Sequence, residues 1–179
     1  MESNLLKASS SPLIQFYSGV GRDSSGRLLS DIRAWDHDRL EHTHDYIQWL
    51  FPTRQPSQFN PSAPILDEEQ IRHFLDSHQV QAELIASAKQ MLDFYGLGLR
   101  DVEGEPVVER TAEWNCRMRI WLTPGNHNFL RITRILTSLR LLGLAPLAVA
   151  LLSALKSIYQ EHSAVIGERT IQFWRAAVR

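Results

Sequence analysis

The sequence has little of several features that mark common protein classes. It contains one cysteine, Cys116, in 179 residues, so an intrachain disulfide is impossible and the fold must rest on its own core. It has no excess of positive charge, since the formal net charge is −1, and this disfavours nucleic acid as a partner. The charge-free run at residues 141–155 is shorter than the roughly 20 residues that a membrane-spanning helix needs.

The beginning of the chain also lacks the apolar middle of a secretion signal. We therefore expect a cytoplasmic location and no contact with a membrane. Residues 1–11 are predicted to form a flexible N-terminal arm. Residues 12–179 are long enough to form one domain that buries a core without a metal or disulfide.

Helical periodicity predicts the fold class. Leu84, Ala88, Met91 and Tyr95 repeat at helical spacing, and Asp67 with Gln70 has the spacing of a capping box. These patterns predict an all-α fold, a single compact domain of about six to eight helices. The glycine-rich stretch 19–26 is predicted to be a plain connector, and residues 98–111 are predicted to be mostly loop, with a short strand at 107–108 as an open alternative.

The first informative stretch is residues 38–51, which mixes apolar and titratable side chains. On a helix, Leu40, His44, Ile47 and Phe51 fall on one stripe. Glu41 and Gln48 then lie at i−3 and i+4 from His44, within side-chain reach. The pattern predicts a helix that begins near residue 30, with a possible break at 36–38, and ends at Pro52.

The second informative stretch is residues 126–142, which are predicted to form a helix capped by Asn126 or Asn128. One side of this helix is apolar and is predicted to face the core. The opposite side carries His127, Arg131 and Arg134. Two guanidinium groups near a positive helix end, together with free backbone N–H groups, suit a carboxylate or a phosphate. The alternative is an internal salt-bridge network with the acidic residues Asp38, Glu41 and Asp45.

Two distant motifs, residues 40–52 (LEHTHDYIQWLFP) and residues 127–136 (HNFLRITRIL), together resemble the conserved domain of the opioid growth factor receptor family. Residues 91–96 (MLDFYG) and Trp174 add to the resemblance, which spans roughly residues 13–174. The resemblance implies an all-helical domain that is unrelated in fold to seven-helix opioid receptors. For the animal members it implies binding of the peptide met-enkephalin and a role in restraining proliferation near or in the nucleus. The sequence consists almost wholly of this shared region, and the resemblance therefore suggests a stand-alone member of bacterial type.

Two hypotheses of different class follow. The first is a binding module that holds a small peptide, or another small anionic or aromatic ligand, between the 38–51 and 126–142 helices. The ligand-binding residues predicted for it are His44, Asp45, Gln48, Trp49, His127, Asn128, Arg131 and Arg134.

The alternative is an uncharacterised enzyme that uses acid–base or metal chemistry in the same cleft, with His44, His127 and Glu41 as candidate catalytic residues. His42 and His44 point in opposite directions on a helix, and the HExxH pattern is missing from the sequence. We therefore predict no metal and no cofactor.

Overall fold

The computed structural model describes residues 11–58 and 60–179. The predicted arm, residues 1–11, lies outside these residues except for Ser11. The chain divides into two compact units, Met1–Ser87 and Ala88–Arg179. Each unit is treated below by itself.

The first unit contains short helices joined by long loops, and a local signal marks the beginning of several of them. Pro12 occupies the first turn of α1, where its missing N–H costs no hydrogen bond. The Asp67 side chain accepts from the Gln70 N–H, and the Gln70 side chain accepts from the Asp67 N–H, as the capping box predicted. The helices are α1 (Pro12–Tyr17), α2 (Leu29–Arg33), α3 (His37–His42), α4 (Ile47–Leu50), α5 (Glu68–Asp76) and α6 (His78–Phe94), of which α6 continues into the second unit.

Aromatic rings dominate the core of the first unit. Phe16 packs edge-on against Trp49 with ring centroids 5.3 Å apart, and Tyr17 does the same with Phe74 at 4.7 Å. These rings are almost fully withdrawn from water, and edge-to-face pairs contribute about 0.5–1.5 kcal/mol beyond the burial of their area. A small number of large rings therefore supplies the buried apolar area that long helices would otherwise provide.

The predicted continuous helix over residues 38–51 is wrong. Helix α3 ends at His42, the backbone of Thr43 is extended, and α4 starts only at Ile47. In a continuous helix the Asp45 carbonyl would accept from the Trp49 N–H, but it accepts from the Asn60 side chain instead, and Trp49 donates to the Tyr46 carbonyl. Tertiary hydrogen bonds thus interrupt a stretch whose periodicity favours a helix.

The apolar side chains of that stretch are buried even so. Leu40, Ile47 and Phe51 are at most 3% exposed, whereas His44, placed by the helical stripe at the border of the core, is exposed. The hydrophobic pattern identified the core residues correctly. It failed for His44 because the turn at residues 43–46 changes the direction of the side chains.

The second unit is built on longer helices that pack on one another and on a hairpin. Helix α8 packs against α9 and α10, α9 packs against α10, and strand β2 packs against α9. Gly143 ends the α8 region with φ +90°, and the Leu144 N–H donates back to the Leu139 carbonyl, the pattern of a glycine-terminated helix. The elements are the end of α6, then β1 (Leu97–Val102), β2 (Glu105–Arg110), α7 (Trp114–Trp121), α8 (Asn128–Leu141), α9 (Ala145–Ile166) and α10 (Glu168–Ala177).

The prediction that residues 98–111 are mostly loop is wrong, because they form an antiparallel hairpin. Strands β1 and β2 pair from Leu97 opposite Arg110 to Val102 opposite Glu105. The two turn residues, Glu103 and Gly104, have φ values of +56° and +87°, which is the backbone twist that two-residue hairpin turns require. Glutamate is an unusual residue at such a position, so the sequence pattern did not indicate a hairpin.

The mainly helical fold class is confirmed. The described residues contain ten α-helices and one two-stranded sheet, so the helices outnumber the prediction because the 30–51 segment is divided into three. Among the residues that the structure describes, none of the helices has both the length and the apolar character needed to cross a membrane.

Gly96 gives a test of the packing between the end of α6 and α7. Its φ is +76°, and an added Cβ would lie 2.9 Å from the Trp114 Cα. Gly125 has a similar φ of +69°, but nothing lies within 4 Å of an added Cβ. We expect Gly125→Ala to cost about 1–2 kcal/mol from its backbone conformation alone. We expect Gly96→Ala to cost about 1–3 kcal/mol more, because of the steric clash. Urea denaturation of both variants measures the difference, and equal losses would contradict the described packing.

Candidate functional site

The first turn of α8 has no backbone N–H groups to offer to a ligand. The Asn126 side-chain oxygen accepts from the Asn128 N–H at 2.9 Å. The next N–H groups, of Phe129, Leu130 and Arg131, donate to the carbonyls of Asn126 and His127. The predicted role of free N–H groups in anion binding is therefore wrong, because the turn before the helix already uses them. Any anion at this position must be held by side chains.

A relay of side chains fixes the first arginine of α8. Asn128 is fully buried and its Nδ2 donates to the Asn126 Oδ1 at 3.0 Å. The Asn128 Oδ1 accepts from the Arg131 Nη1 at 3.2 Å, and Arg131 is only 5% exposed. Asn126 in turn donates to the Ile120 carbonyl at 3.0 Å. The position of the Arg131 guanidinium is thus set by the loop before the helix.

The second arginine, Arg134, lies three residues further on the same side of α8. Its side chain is half-buried, and burial lowers the pKa of its guanidinium. The group still carries its positive charge at physiological pH, because a guanidinium is a very strong base. One turn of α8 thus carries two guanidinium groups, of which Arg131 is buried and Arg134 is half-buried.

In the first unit, Asp45 binds the glycine-rich loop rather than standing alone. The Ser25 hydroxyl donates to one carboxylate oxygen at 2.6 Å, and the Arg27 Nη1 donates to the other at 2.9 Å. Arg27 also donates to the Asp23 carboxylate at 2.6 Å, and its guanidinium lies over the Trp35 ring. Residues 19–26 are a loop that connects α1 and α2, as predicted, and together with Arg27 this loop also forms an ion-pair network.

This network shifts the pKa of Asp45. Burial opposes ionisation of its carboxyl group, but the hydrogen bonds from Ser25 and Arg27 outweigh burial and hold the pKa below its ordinary value. The carboxylate is thus stabilised in its charged form by two residues that precede it by about 20 positions. Sequence reasoning missed Asp23 and Arg27, whose opposite charges at i and i+4 were the available signal.

The other predicted residues of the first unit differ in their surroundings. Trp49 is 5% exposed and its indole Nε1 donates to the Ser24 hydroxyl at 3.3 Å. Gln48 is equally buried, and its Oε1 accepts no hydrogen bond from the residues that the structure describes. His44 is exposed and Glu41, on α3, is half-buried.

The structure therefore brings the predicted residues together in two groups. His44, Asp45, Gln48 and Trp49 lie in or beside α4 of the first unit, and His127, Asn128, Arg131 and Arg134 lie at the start of α8 in the second unit. The shared cleft stays a prediction. Within residues 11–58 and 60–179, no three His, Cys, Asp or Glu side chains are arranged so that they could hold a metal ion.

Comparison with known proteins identifies related sequences. The sequence model of one protein family, the opioid growth factor receptor (OGFr) conserved region, matches residues 14–179. Opioid growth factor receptor-like protein 1 of Xenopus tropicalis is 43% identical over 109 residues, which are 60% of this chain and 20% of that protein. The opioid growth factor receptor of Rattus norvegicus is 36% identical over 162 residues, which are 87% of this chain and 27% of that protein.

The human protein of the same name is similar as well. The opioid growth factor receptor of Homo sapiens is 39% identical over 137 residues, which are 74% of this chain and 20% of that protein. The chain thus spans about a fifth to a quarter of the length of these curated relatives. No solved structure shows a significant match.

Asn128 gives a test of the relay that positions Arg131. Asn128→Ala removes the acceptor of Arg131 and the donor to Asn126, and we expect a loss of about 1–3 kcal/mol in the free energy of unfolding because buried polar groups lose their partners. Asn115→Ala is the matched control, since Asn115 is exposed on α7 and should change stability by less than about 0.5 kcal/mol. Similar values for both variants in urea denaturation would show that the relay is not a structural link.

The lowered pKa of Asp45 predicts a pH dependence. A carboxyl group whose pKa is lower in the folded state stabilises that state above its unfolded pKa of about 3.9. This contribution is lost as the pH falls through the folded pKa. We therefore expect Asp45→Asn to lose less stability than the native chain between neutral and strongly acidic pH. Asp76→Asn, which changes an exposed carboxylate at the end of α5, is the control. Parallel pH curves for Asp45→Asn and the native chain, by urea denaturation, would contradict the network.

Proposed function

The chain belongs to the family of the opioid growth factor receptor conserved region, and on this premise we propose that it is a ligand-binding helical module. The names of the curated relatives describe a receptor for an opioid growth factor. For this chain we propose a small peptide, or another small anionic or aromatic molecule, as the ligand. The relatives are several times longer than the matched region. A receptor activity is therefore part of what we propose for this chain.

The observation that carries the proposal is the pair of arginines on α8. Arg131 is 5% exposed and is held by Asn128, and burial lowers the pKa of Arg134. A guanidinium that is fixed before the ligand arrives loses little conformational entropy on binding. A charge-assisted hydrogen bond to such a group contributes about 1.5–3 kcal/mol.

A carboxylate is the ligand group that fits this arrangement best. Guanidinium groups bind carboxylates through two parallel N–H donors, and the carboxyl end of a peptide carries that group in every sequence. His127 precedes α8 and lies four residues before Arg131, so it borders the same side of the helix. We therefore propose that Arg131 and Arg134 hold the carboxyl end of the ligand, with His127 beside them and Asn128 as a positioning residue.

In the first unit we propose ligand contacts for His44, Asp45, Gln48 and Trp49. Gln48 has the clearest support, since its buried Oε1 accepts no hydrogen bond from the described residues. A buried amide oxygen without a donor costs about 1–3 kcal/mol, and a ligand N–H group would recover this. Asp45 and Trp49 are held by Ser25, Arg27 and Ser24, so they would present a surface that the loop has already ordered.

We also propose a cytoplasmic location. Its support is Cys116, which is a free and exposed thiol, because such thiols are typical of compartments that are kept reducing. Microscopy of the fluorescently tagged chain in its own cells tests this, and a signal confined to another compartment would contradict it.

The arginine site is tested by isothermal titration calorimetry with a short aromatic peptide that is acetylated at its amino end and free at its carboxyl end. The same peptide with an amidated carboxyl end is the ligand control. We expect amidation to weaken binding by about tenfold or more, which corresponds to the loss of about 1.5–3 kcal/mol from a charge-assisted hydrogen bond. Met-enkephalin, which the family resemblance suggests, is a suitable parent peptide.

Two variants and a control complete the test. Arg131→Gln and Arg134→Gln should each weaken binding of the free-carboxyl peptide and remove the effect of amidation. Arg119→Gln, which changes an exposed arginine on α7, should leave binding unchanged. Equal affinity for the free and the amidated peptide, in a chain that is folded by circular dichroism, would overturn the proposed role of these arginines.

A further inference from the structure

The hairpin of the second unit has one strand edge that is open for pairing. The residue pair that closes its two-residue turn is hydrogen-bonded, and bonded and non-bonded pairs then alternate along the register. The Thr111 N–H, which donates to the Gly96 carbonyl at 3.0 Å, continues this alternation beyond the strands. Leu99 and Asp101 therefore belong to non-bonded pairs, and their backbone N–H and C=O groups point away from β2.

These outward groups form no hydrogen bond with the part of the chain that the structure describes. Leu99 is half-buried and Asp101 is exposed, so the edge of β1 is accessible. The edge of β2 differs, because β2 packs against α9 and its Pro106, opposite Asp101, has no N–H. Proline and a covering helix are common protections of a strand edge, and β1 contains no proline.

The turn end of this open edge is acidic. Three exposed carboxylates there form no ion pair within residues 11–58 and 60–179: Asp101, Glu103 and Glu105. Both arginines of the hairpin are already paired, since Arg100 lies 3.0 Å from Glu109 and Arg110 lies 2.6 Å from Glu161. A lysine or arginine in an added strand, directly opposite Asp101, would form a favourable cross-strand pair.

A second copy of this chain is a poor occupant of the edge. Two copies of β1 would pair about a two-fold axis, which places one residue opposite itself. An axis at Arg100 or at Asp101 sets like charges directly opposite each other, which is destabilising. An axis at Leu99 brings Leu97 into the pairing, although Leu97 is only 1% exposed. The edge therefore suits a different chain better.

We propose that the outer edge of β1 binds an extended basic segment of another protein, which adds to the hairpin as an antiparallel third strand. Leu99 and Asp101 supply the N–H donors and C=O acceptors for it, as in other cases of strand addition. The segment carries a lysine or arginine opposite Asp101. It carries a β-branched residue opposite Leu99, whose side chain lies beside the buried Val108 on the same side of the hairpin.

This surface is separate from the arginines of α8 and needs no charged peptide end. The probe is therefore the peptide acetyl-Lys-Lys-Thr-Val-Thr-Val-amide, in which both ends are blocked. Because an antiparallel strand starts at the turn, its second lysine comes opposite Asp101 and its first valine opposite Leu99. Failure of the proposed carboxylate site leaves this test unchanged.

The first experiment is calorimetry with modified peptides. N-methylation of the first valine removes the N–H that would donate to the Leu99 carbonyl, and we expect binding to weaken by about tenfold or more. N-methylation of the preceding threonine is the matched control, because its N–H would point away from β1, and it should weaken binding much less. Replacing both lysines by glutamate should abolish measurable binding.

Variants of the chain test the same contacts from the other side. Asp101→Pro removes an outward N–H at an edge position, where proline is tolerated, and should weaken binding by about tenfold or more. Asp101→Asn keeps that N–H and an oxygen for the Gly104 N–H, which Asp101 accepts at 2.9 Å. It should weaken binding only about two- to fivefold, through loss of the charge pair. Asp93→Asn, which changes an exposed carboxylate on α6, should leave binding unchanged.

Amide hydrogen exchange of the native chain locates the peptide without any variant. We expect a saturating peptide to protect the amides of Leu99 and Asp101. The amides of Arg100 and Val102, which already donate to β2 in the bonded pairs, should change little. This measurement keeps the test decisive if Asp101→Pro disturbs the hairpin.

Several results would overturn the proposal. They are the absence of binding by the lysine peptide, equal affinity for the glutamate peptide, and full binding after N-methylation of the first valine. Binding without protection of the Leu99 amide would overturn it as well. If the chain forms dimers that Asp101→Pro dissociates, the edge is a contact between two copies, and the proposal fails.

Discussion

Three buried tryptophan rings hold distant parts of this chain together. Trp49, Trp121 and Trp174 are at most 5% exposed, so each contributes a large apolar area to its core. Each also donates its indole N–H to a residue 25 to 45 positions away: Trp49 to Ser24, Trp121 to the Tyr95 carbonyl and Trp174 to the Phe129 carbonyl. A buried indole that lost its acceptor would cost free energy, so each ring fixes the element that supplies the acceptor.

The same constraint shapes the candidate sites. Asp45 and Arg131 are both held by neighbours that the chain supplies from a loop, namely Ser25 and Arg27 for the carboxylate and the Asn126–Asn128 relay for the guanidinium. These contacts hold both side chains in place, and for the proposed ligand this would lower the entropic cost of binding. Short helices and ordered loops therefore suit a recognition module, because they place many polar side chains at element ends.

Particular elements show how far sequence patterns reach in this protein. The capping box at Asp67 and Gln70 is confirmed, because both of its bonds form within four residues and need no tertiary partner. The helix at 126–142 is confirmed as Asn128–Leu141, but its predicted cap is wrong, because the N-cap is His127, without a side-chain cap hydrogen bond, rather than Asn126 or Asn128. The prediction of a helix over residues 38–51 is wrong, because the Asp45 carbonyl accepts a hydrogen bond from the Asn60 side chain instead of from a helical N–H. No local sequence pattern indicates that contact.

The candidate sites were less accessible to sequence reasoning than the fold. The arginines of α8 follow from their spacing, but the use of the first-turn N–H groups by Asn126 and His127 does not.

The sequence by itself determined the family, the helical class, most helix ends and the buried apolar residues. These depend on spacing along one chain segment and on the strong preference of apolar side chains to leave water. Only the tertiary structure decided that the chain turns at residues 43–46, how Glu103 and Gly104 form a hairpin turn, and which charged groups are paired. These depend on hydrogen bonds between distant residues, whose partners are set by the fold.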